Sequence, residues 1–383
     1  MPHPPEQTAP APKHFAWLDW MRFLAAFVVL FGHTRFQHFS YYEKLEIPGK
    51  GRLTEAIFLL PRFANEAVMI FFVLSGFLVG GRCLERILKG SFDPKGYAID
   101  RATRIWLPLI PTVFVTWIVA WVRDGSVSLW EGLGNIASLQ GIFVKPMANN
   151  LSLWSLSYEV WFYVLALGVA LLSTPRNQAG KLFGLILATV SMAVFIPLEA
   201  CYLFVWITGA LAYMLQRDGS RNGLLIFGTL LAAISLLVSA MGTTFRSIDI
   251  SWLTAYLPPR EVALVALGLG VSLTLPVLVA KHPKQAFARK FEAWGSSLAA
   301  SSYSLYLIHR PILELWAHFE GNRTHDQVNA STILLFVAKM AVCMLGGWLF
   351  YLAFEKHTAF VRRKLSGKRQ TVARDLPQPD PAA

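Results

Sequence analysis

Residues 16–36 read AWLDWMRFLAAFVVLFGHTRF, and residues 64–83 read ANEAVMIFFVLSGFLVGGRC. Each stretch has about the 20 mostly apolar residues that an α-helix needs to cross a bilayer. Such stretches are too long for the strands of a soluble core and indicate a membrane protein. The first stretch carries Asp19 and Arg22 and has no small-residue cleavage signature, so we interpret it as an uncleaved helix rather than a signal peptide.

The composition of the chain indicates the same class. Of its 383 residues, 55% are hydrophobic and only 15% are charged, and the mean hydropathy is +0.46. Soluble domains carry about 25% charged residues and disordered chains are poorly hydrophobic, so both classes are disfavoured. We predict an all-α, polytopic membrane helical bundle with about ten transmembrane helices. The ten stretches are 16–36, 64–83, 103–122, 151–172, 181–197, 199–216, 223–241, 260–279, 297–318 and 330–354.

The distribution of basic residues predicts how this bundle is oriented. The formal net charge is +12, from 35 Lys and Arg against 23 Asp and Glu. With the N-terminus inside, the inner segments hold 22 basic residues and the outer loops hold 11. Cytoplasmic loops of membrane proteins carry such an excess, so we expect both termini in the cytoplasm. The positive charge then needs no nucleic-acid partner, and we expect a multi-pass protein of the cell (inner or plasma) membrane.

Three regions are expected along the chain. Residues 1–14 are rich in Pro and polar residues and are interpreted as a flexible N-terminal tail. Residues 15–356 form the membrane domain. Residues 357–383 form a basic C-terminal tail, which we expect to be disordered, above all after Ser366, and to contact anionic membrane lipids.

Neither a disulfide framework nor a metal site is indicated. Cys83, Cys201 and Cys343 lie in apolar stretches without CxxC spacing and are expected to be free thiols. The histidines show no HExxH spacing, and the chain contains no GxxxxGK[ST] phosphate loop and no GxSxG elbow. These absences argue against an ATP-driven pump and against an α/β-hydrolase.

Ionisable residues within the first helix are candidate functional residues, because a charge inside a bilayer is costly unless it is paired or hydrated. Arg22 and His33 are eleven residues apart, which brings them to nearly the same helix face, about 16 Å apart along the axis. Both could line one polar path through the membrane, with Asp19 pairing with Arg22. Alternatively, Arg22 reaches the headgroups with Asp19 as its partner, and His33 is an interfacial residue.

Two arginines and one carboxylate are further candidates. Arg101 and Arg104 are three residues apart on one helix face, so they could clamp phosphates from the cytoplasmic side. For the pair taken alone, ordinary positive-inside charge is the simpler explanation. Glu159 lies within an apolar span, where it could orient a catalytic histidine, hold a substrate hydroxyl or pair with an arginine.

Ser75 and His309 each have a structural explanation as well as a functional one. Ser75 precedes Gly76 inside a membrane helix, and this pair is typical of close helix packing, although a nucleophilic serine is the alternative. His309 lies at the outer end of its helix, where it could bind an acceptor. An interfacial polar residue is the simpler interpretation of His309.

Five motifs in this order together resemble the acyltransferase-3 family of integral-membrane acyltransferases, which acylate envelope glycans and related molecules. The motifs are LDWMR…GH at 18–33, FFVLSGF at 71–77, RATR at 101–104, WSLSYEVWFY at 154–163 and SYSLYLIH at 302–309. One departure is visible. Many members have an acidic residue just before the second motif, where this chain has Met69, with Glu66 one turn earlier. The resemblance leaves open whether Glu66 takes over that role.

The resemblance implies a membrane acyltransferase, an O-acetyltransferase above all, that uses cytoplasmic acyl-CoA, most simply acetyl-CoA, and no metal. Arg101 and Arg104 would hold the phosphates of the donor. His33 would be the general base for a hydroxyl of a cell-envelope or exported carbohydrate, including a lipid-linked glycan. Arg22 would stabilise the donor or the developing charge, and Glu159 would be a supporting acidic residue.

Two other functions fit a ten-helix bundle with charges inside the membrane. The main alternative is a polytopic transporter or exporter of a glycan, a lipid or a small acylated compound. A non-catalytic membrane anchor is the weaker one. Neither requires the spacing of Arg22 and His33 together with the RATR motif.

Overall fold

The fold is all-α, as predicted. The computed structural model describes residues 15–45, 52–175, 177–215, 222–244, 260–280 and 286–367, and in these residues the chain forms helices and no strand beyond isolated bridges. The predicted N-terminal tail, 1–14, and the last part of the C-terminal tail, 368–383, lie outside the described residues.

The helices within the described ranges are numbered here in chain order. They are α1 (Ala16–His38), α2 (Arg52–Leu59), α3 (Ala64–Ser75), α4 (Gly81–Leu88), α5 (Pro94–Asp124), α6 (Leu129–Ile136), α7 (Trp154–Ser173), α8 (Gln178–Val194), α9 (Ala200–Met214), α10 (Asn222–Thr244), α11 (Arg260–Ala280), α12 (Ala286–Ala300), α13 (Ser302–Phe319), α14 (Ala330–Ala353) and α15 (Thr358–Ser366).

Seven stretches in the described part of the chain are long and apolar enough to cross a membrane. They are Ala16–His38, Ile57–Leu88, Pro94–Asp124, Ala148–Ser173, Asn222–Ser239, Arg260–Ala280 and Ala330–Ser366. Each of the seven overlaps one of the ten predicted spans. Of the other three, α8 and α9 are apolar but shorter, and α13 carries Arg310 and Glu314. The seven stretches make the chain a multi-pass helical bundle, while the cytoplasmic position of both termini stays a prediction.

The core of the bundle is aromatic and lies around α3, which packs against α1, α9 and α11. The buried ring of Phe72 contacts four other rings, at centroid distances of 5.3 to 6.3 Å: Trp154, Tyr158, Phe162 and Tyr202. Edge-to-face and tilted pairs of this kind add about 0.5–1.5 kcal/mol each beyond the burial of their area. They join α3 to α7 and α9, and residues of α3 and α7 line the cavities described below.

Close approach of two helices explains the Ser-Gly pair of the second motif. A π-helical turn, Gly76–Gly80, joins α3 to α4, and a side chain at Gly76 would overlap the backbone carbonyl of Trp206 on α9. On α9, Gly209 lies in the same way against the backbone carbonyl of Val73. Small residues that let helix backbones touch are the usual means of packing inside a membrane. The packing interpretation of Ser75-Gly76 is therefore confirmed.

The first part of the C-terminal tail is helical, so the expectation of disorder from 357 onward is wrong up to Ser366. Helix α15 packs on α5, where Val361 and Leu365 line an apolar groove together with residues of α5. Arg362 also forms an ion pair with Asp100 at 2.6 Å. The sequence of the tail could not predict this ion pair, because the partner carboxylate, Asp100, is far from the tail in sequence.

Replacing Gly76 by alanine should destabilise the bundle, because the added Cβ cannot be accommodated without moving α3 away from α9. We expect a loss of about 1–3 kcal/mol, typical of overpacking, measured as a lower midpoint of thermal unfolding in detergent. Gly223→Ala is the matched control, since a Cβ at Gly223 meets nothing within 4 Å. Equal midpoints for the two variants would contradict the proposed contact.

Candidate active site

His33 lines a cavity of about 480 Å³ that we call the outer cavity, after the predicted orientation of α1. The cavity lies between α1, the Pro61–Asn65 segment and the start of α7. Besides His33, its lining includes Val29, Arg35, Phe36, Tyr41, Tyr42, Phe58, Pro61, Arg62, Ala64, Asn65, Val68, Trp154 and Tyr306. It is roomy enough for a ring-sized molecule and combines aromatic surfaces with basic groups.

His33 is hydrogen-bonded to His309, a residue 276 positions further along the chain. The distance from His33 Nδ1 to His309 Nε2 is 2.8 Å, and the two rings are nearly parallel. His309 Nδ1 lies 3.0 Å from the carbonyl oxygen of Leu305. A carbonyl only accepts, so His309 carries its proton on Nδ1 and its Nε2 accepts a hydrogen bond from His33. The remaining nitrogen of neutral His33, Nε2, then holds a lone pair and can accept a proton.

The expectation that His309 is an interfacial residue is wrong. Its side chain is 1% exposed, and α13 buries it against α1 and the segment before α7, where Ser152 Oγ lies 3.4 Å from its Nε2. The final position of the SYSLYLIH motif pointed to this residue. Sequence spacing could not show that it meets His33.

Paired charges surround the outer end of the histidine pair. Glu314 on α13 forms ion pairs with Arg123 of α5 and, at 3.0 Å, with Arg310. Gln37 of α1 donates a hydrogen bond to the same carboxylate at 2.5 Å. Glu314 thus joins α1, α5 and α13 and fixes the helices that carry the two histidines.

Arg22, Arg101, Arg104 and Glu159 lie around a second cavity, of about 100 Å³, that we call the inner cavity. Its other lining residues are Val68, Phe71, Phe72, Leu74, Ser75, Leu78, Val79, Ser155, Leu156, Tyr163, Ser302, Tyr303 and Tyr306. The structure therefore brings together four of the five predicted site residues. The fifth, His33, lies in the outer cavity.

Both arginines of the RATR motif have a carboxylate partner. Arg101 pairs with Asp100, and its guanidinium lies 5.3 Å from the centre of the Tyr163 ring. Arg104 pairs with Glu355 at 2.6 Å. The predicted common face is present, because both arginines line the inner cavity, but each is held separately rather than as one open clamp.

Glu159 ends a chain of hydrogen bonds. Tyr163 donates to Glu159 at 2.5 Å, the Ser75 hydroxyl lies 3.2 Å from the Tyr163 oxygen, and Trp206 Nε1 donates to Ser75 at 3.3 Å. Of the roles that the sequence left open for Glu159, orienting a histidine has no support here, since His33 donates its hydrogen bond to His309. Ser75 links Tyr163 and Trp206 in this series of hydrogen bonds, and it lines the inner cavity rather than the cavity of His33.

The cavities adjoin one another in series. Val68 and Tyr306 line both the outer and the inner cavity. A third cavity of about 470 Å³, the basic mouth, shares Leu78, Val79 and Arg101 with the inner one. The basic mouth is lined by Arg82, Arg86, Lys95, Arg101, Arg362 and Arg363 against two carboxylates, Asp93 and Asp100.

The predicted polar path along α1 therefore has an interruption. Arg22 pairs with Asp19 at 4.0 Å, as their spacing predicted, and lies in the inner cavity. Between it and His33 stands Tyr306, whose hydroxyl donates to the Ser152 carbonyl at 3.0 Å and lies 2.7 Å from Ser155 Oγ. These hydrogen bonds hold the Tyr306 ring in place as a partition between the two cavities.

Glu66 faces away from the cavities. It accepts a hydrogen bond from Ser239 of α10, and neither cavity includes it in its lining. It joins α3 to α10, which gives it a structural role in the described bundle. Cys83, Cys201 and Cys343 are free and buried. Within the described residues, no group of three or more His, Cys, Asp or Glu side chains could hold a metal ion.

The fold and the cavities define a multi-pass membrane protein with an enclosed polar site. A profile of the acyltransferase domain of the acyltransferase-3 family matches residues 15–352, and the chain belongs to this family. It is also 22% identical over 404 aligned positions to the O-acetyltransferase PaAT-1 of Phomopsis amygdali, covering 87% of this chain and 79% of that protein. No solved structure matches the chain. The protein is therefore a membrane acyltransferase.

Removing the Glu355 carboxylate should destabilise the inner half of the bundle. Glu355 is buried and accepts hydrogen bonds from Arg104, from the Ser304 backbone and from the Ser304 hydroxyl. Because Arg104 is partly exposed, we expect Glu355→Ala to cost about 1–3 kcal/mol of unfolding free energy rather than the full penalty of a buried charge. Thermal unfolding in detergent measures the loss.

Lys89→Ala is the control for this variant. It breaks an exposed ion pair with Glu85, 2.8 Å long, and should cost only about 0.3–0.5 kcal/mol. If Glu355→Ala unfolds at the same temperature as Lys89→Ala, Glu355 does not hold the C-terminal segment to α5 and α13.

Proposed function

We propose that the protein transfers an acyl group, most simply acetyl, from cytoplasmic acyl-CoA to a hydroxyl of an acceptor, with His33 as the general base. The observation that carries this proposal is the series of three cavities, which leads from a basic mouth past Arg101 to His33. Family membership supports the transfer of an acyl group. The relative from Phomopsis amygdali is an O-acetyltransferase, which supports a hydroxyl acceptor and an acetyl group.

The charge of the basic mouth supports a CoA donor. Six cationic side chains face two carboxylates there, and guanidinium groups bind phosphate oxygens with paired hydrogen bonds. The nucleotide phosphates would bind in this mouth, with Arg101 at its inner end, and the pantetheine arm would extend into the inner cavity. Arg104, which the family resemblance also assigned to the phosphates, would face that arm. The small volume of the inner cavity, about 100 Å³, favours a short acyl group.

His33 supplies the chemistry on the outer side of Tyr306. The acceptor hydroxyl gives its proton to His33 Nε2 as its oxygen attacks the thioester carbonyl carbon. The tetrahedral intermediate then loses the C–S bond, which yields the ester and a CoA thiolate. The proton on His33 passes to that thiolate, so CoA leaves as a thiol and His33 returns to its initial form.

His309 acts through His33, as a positioning residue. Its fixed proton on Nδ1 makes its Nε2 an acceptor, and this holds the proton of His33 on Nδ1. Arg22 is proposed to stabilise the donor or the charge that develops on the thioester oxygen. Glu159 supports the inner cavity by holding Tyr163, whose ring faces Arg101.

The acceptor is proposed to be a carbohydrate of the cell envelope or an exported one, free or lipid-linked, reached from the outer face of the cell membrane. The aromatic lining of the outer cavity supports an acceptor with a ring. Membership in an acyltransferase family favours this reaction over export of a glycan or lipid, and over a non-catalytic anchor.

Replacing His33 by alanine should lower acyl transfer by at least about 100-fold, the usual contribution of a general base. The assay is transfer of radiolabelled acetyl from acetyl-CoA in membranes, followed by separation of lipids and glycans. His318→Ala, a half-buried histidine near the end of α13 that lines none of these cavities, is the control and should retain normal transfer. Normal transfer by His33→Ala would refute the assignment of the base.

Replacing Arg101 by alanine should weaken donor binding more than it slows the chemical step. We expect the half-saturating concentration of acetyl-CoA to rise about 10-fold or more, as for the loss of a charged hydrogen bond, with a smaller change in kcat. Lys364→Ala, an exposed change on α15 outside the basic mouth, should leave both constants unchanged. An unaltered half-saturation for Arg101→Ala would count against the donor path.

A further inference from the structure

Two residues that line the outer cavity together with His33 carry hydrogen-bond donors without an acceptor among the described residues. Arg62 Nη1 and Asn65 Nδ2 are buried atoms that have no hydrogen-bond acceptor among the residues that the structure describes. Both residues line the outer cavity. A buried donor without an acceptor costs about 1–3 kcal/mol, so such groups usually receive a partner from a ligand or from water.

The outer cavity has a positive lining. Its charged side chains are Arg35 and Arg62, and among the described residues no aspartate or glutamate lines it. The guanidinium of Arg35 lies 3.9 Å from the centre of the Phe58 ring, which forms part of the same lining. A neutral ligand would bring no counter-charge to Arg62, because no acidic side chain lines the cavity among the described residues.

The position of Arg62 and Asn65 depends on the residue before His33. A Cβ at Gly32 would lie 3.0 Å from the side chain of Ala64 and 3.5 Å from the carbonyl oxygen of Pro61. The absence of a side chain at Gly32 lets the Pro61–Asn65 segment approach α1 closely. Arg62, Asn65 and the proposed base therefore line the same cavity.

From these observations we infer that the acceptor carries an oxyanion, a carboxylate or a phosphate, close to the hydroxyl that is acylated. Arg62 binds this oxyanion with paired hydrogen bonds, and Asn65 adds a third donor. Trp154 and Tyr41 provide flat surfaces for the ring of the acceptor. This inference rests on the proposed function, because it takes the outer cavity as the acceptor site.

The charge of the labelled product tests the inference. Membranes of the source organism are incubated with radiolabelled acetyl-CoA, and the product that mild alkali deacetylates is applied to an anion-exchange resin. We expect the label to be retained on the resin and eluted by salt. Coupling of carboxylates to methylamine by a carbodiimide distinguishes the two chemistries, since it abolishes the retention of a carboxylate but not of a phosphate. A labelled product that passes through the resin uncharged overturns the inference.

Two variants connect the charge of the acceptor to the cavity. Arg62→Gln should raise the half-saturating concentration of the acceptor about 10- to 100-fold, the loss of one charged contact. Asn65→Asp, which is nearly the same size, should have a similar effect because it places a negative charge against the oxyanion. Arg323→Gln, an exposed change in the loop after α13, is the matched control and should be without effect. If both cavity variants bind the acceptor as the wild type does, the inference is wrong.

Half-saturation by acetyl-CoA, measured on the same membranes, separates this inference from the proposed function. Arg62→Gln and Asn65→Asp should keep the wild-type value, which also shows that the variants are folded. If the wild type transfers label to a neutral acceptor, only the inference fails. If it transfers no label and binds no acetyl-CoA, the proposed function fails and the inference fails with it.

Discussion

A charge that lies inside an apolar bundle needs a partner, and this constraint explains how the polar residues of the protein are arranged. Arg22 is near Asp19, Arg101 pairs with Asp100, Arg104 with Glu355, and Lys339 with Glu320. In each pair the opposite charge lowers the cost of placing a charged side chain among apolar helices. His33 is half-buried without a charge, because the neutral His309 next to it accepts a hydrogen bond from its Nδ1. A neutral imidazole with a free lone pair is the form that a general base requires.

These ion pairs also explain why the site has two different environments, one in the inner cavity and the basic mouth and the other in the outer cavity. Fixed ion pairs line the inner cavity and the basic mouth, whereas the outer cavity combines a neutral histidine pair with donors that have no acceptor among the described residues. Tyr306 stands between the two environments and is held by two hydrogen bonds. In the proposed reaction a charged donor and a hydroxyl acceptor approach this residue from opposite sides. Neither substrate then has to cross the apolar core completely.

The sequence predicted most of the fold, because hydropathy over about 20 residues is a local property. It also predicted the Asp19–Arg22 pair and the close helix contact at Ser75-Gly76, since both depend on spacing within one or two turns. The contact between His33 and His309 could not be predicted in this way, because it joins helices 276 positions apart. For the same reason the sequence missed Glu355 as the partner of Arg104, and the helix after His357 was taken for disordered chain. The family motifs contain His33, Arg104 and His309 but do not indicate which residues these side chains contact.

The most direct test of the account is a cryo-electron microscopy structure with a non-transferable acetyl-CoA analogue, in which a methylene group replaces the thioester sulfur. The account predicts that the phosphates lie in the basic mouth among Arg82, Arg86 and Arg363, and that the chain passes Arg101. The acetyl carbonyl should then lie at Tyr306, on the path to His33 Nε2. An analogue whose nucleotide lies in the outer cavity, or whose acetyl group lies away from Tyr306, would contradict the proposed path and the role of His33.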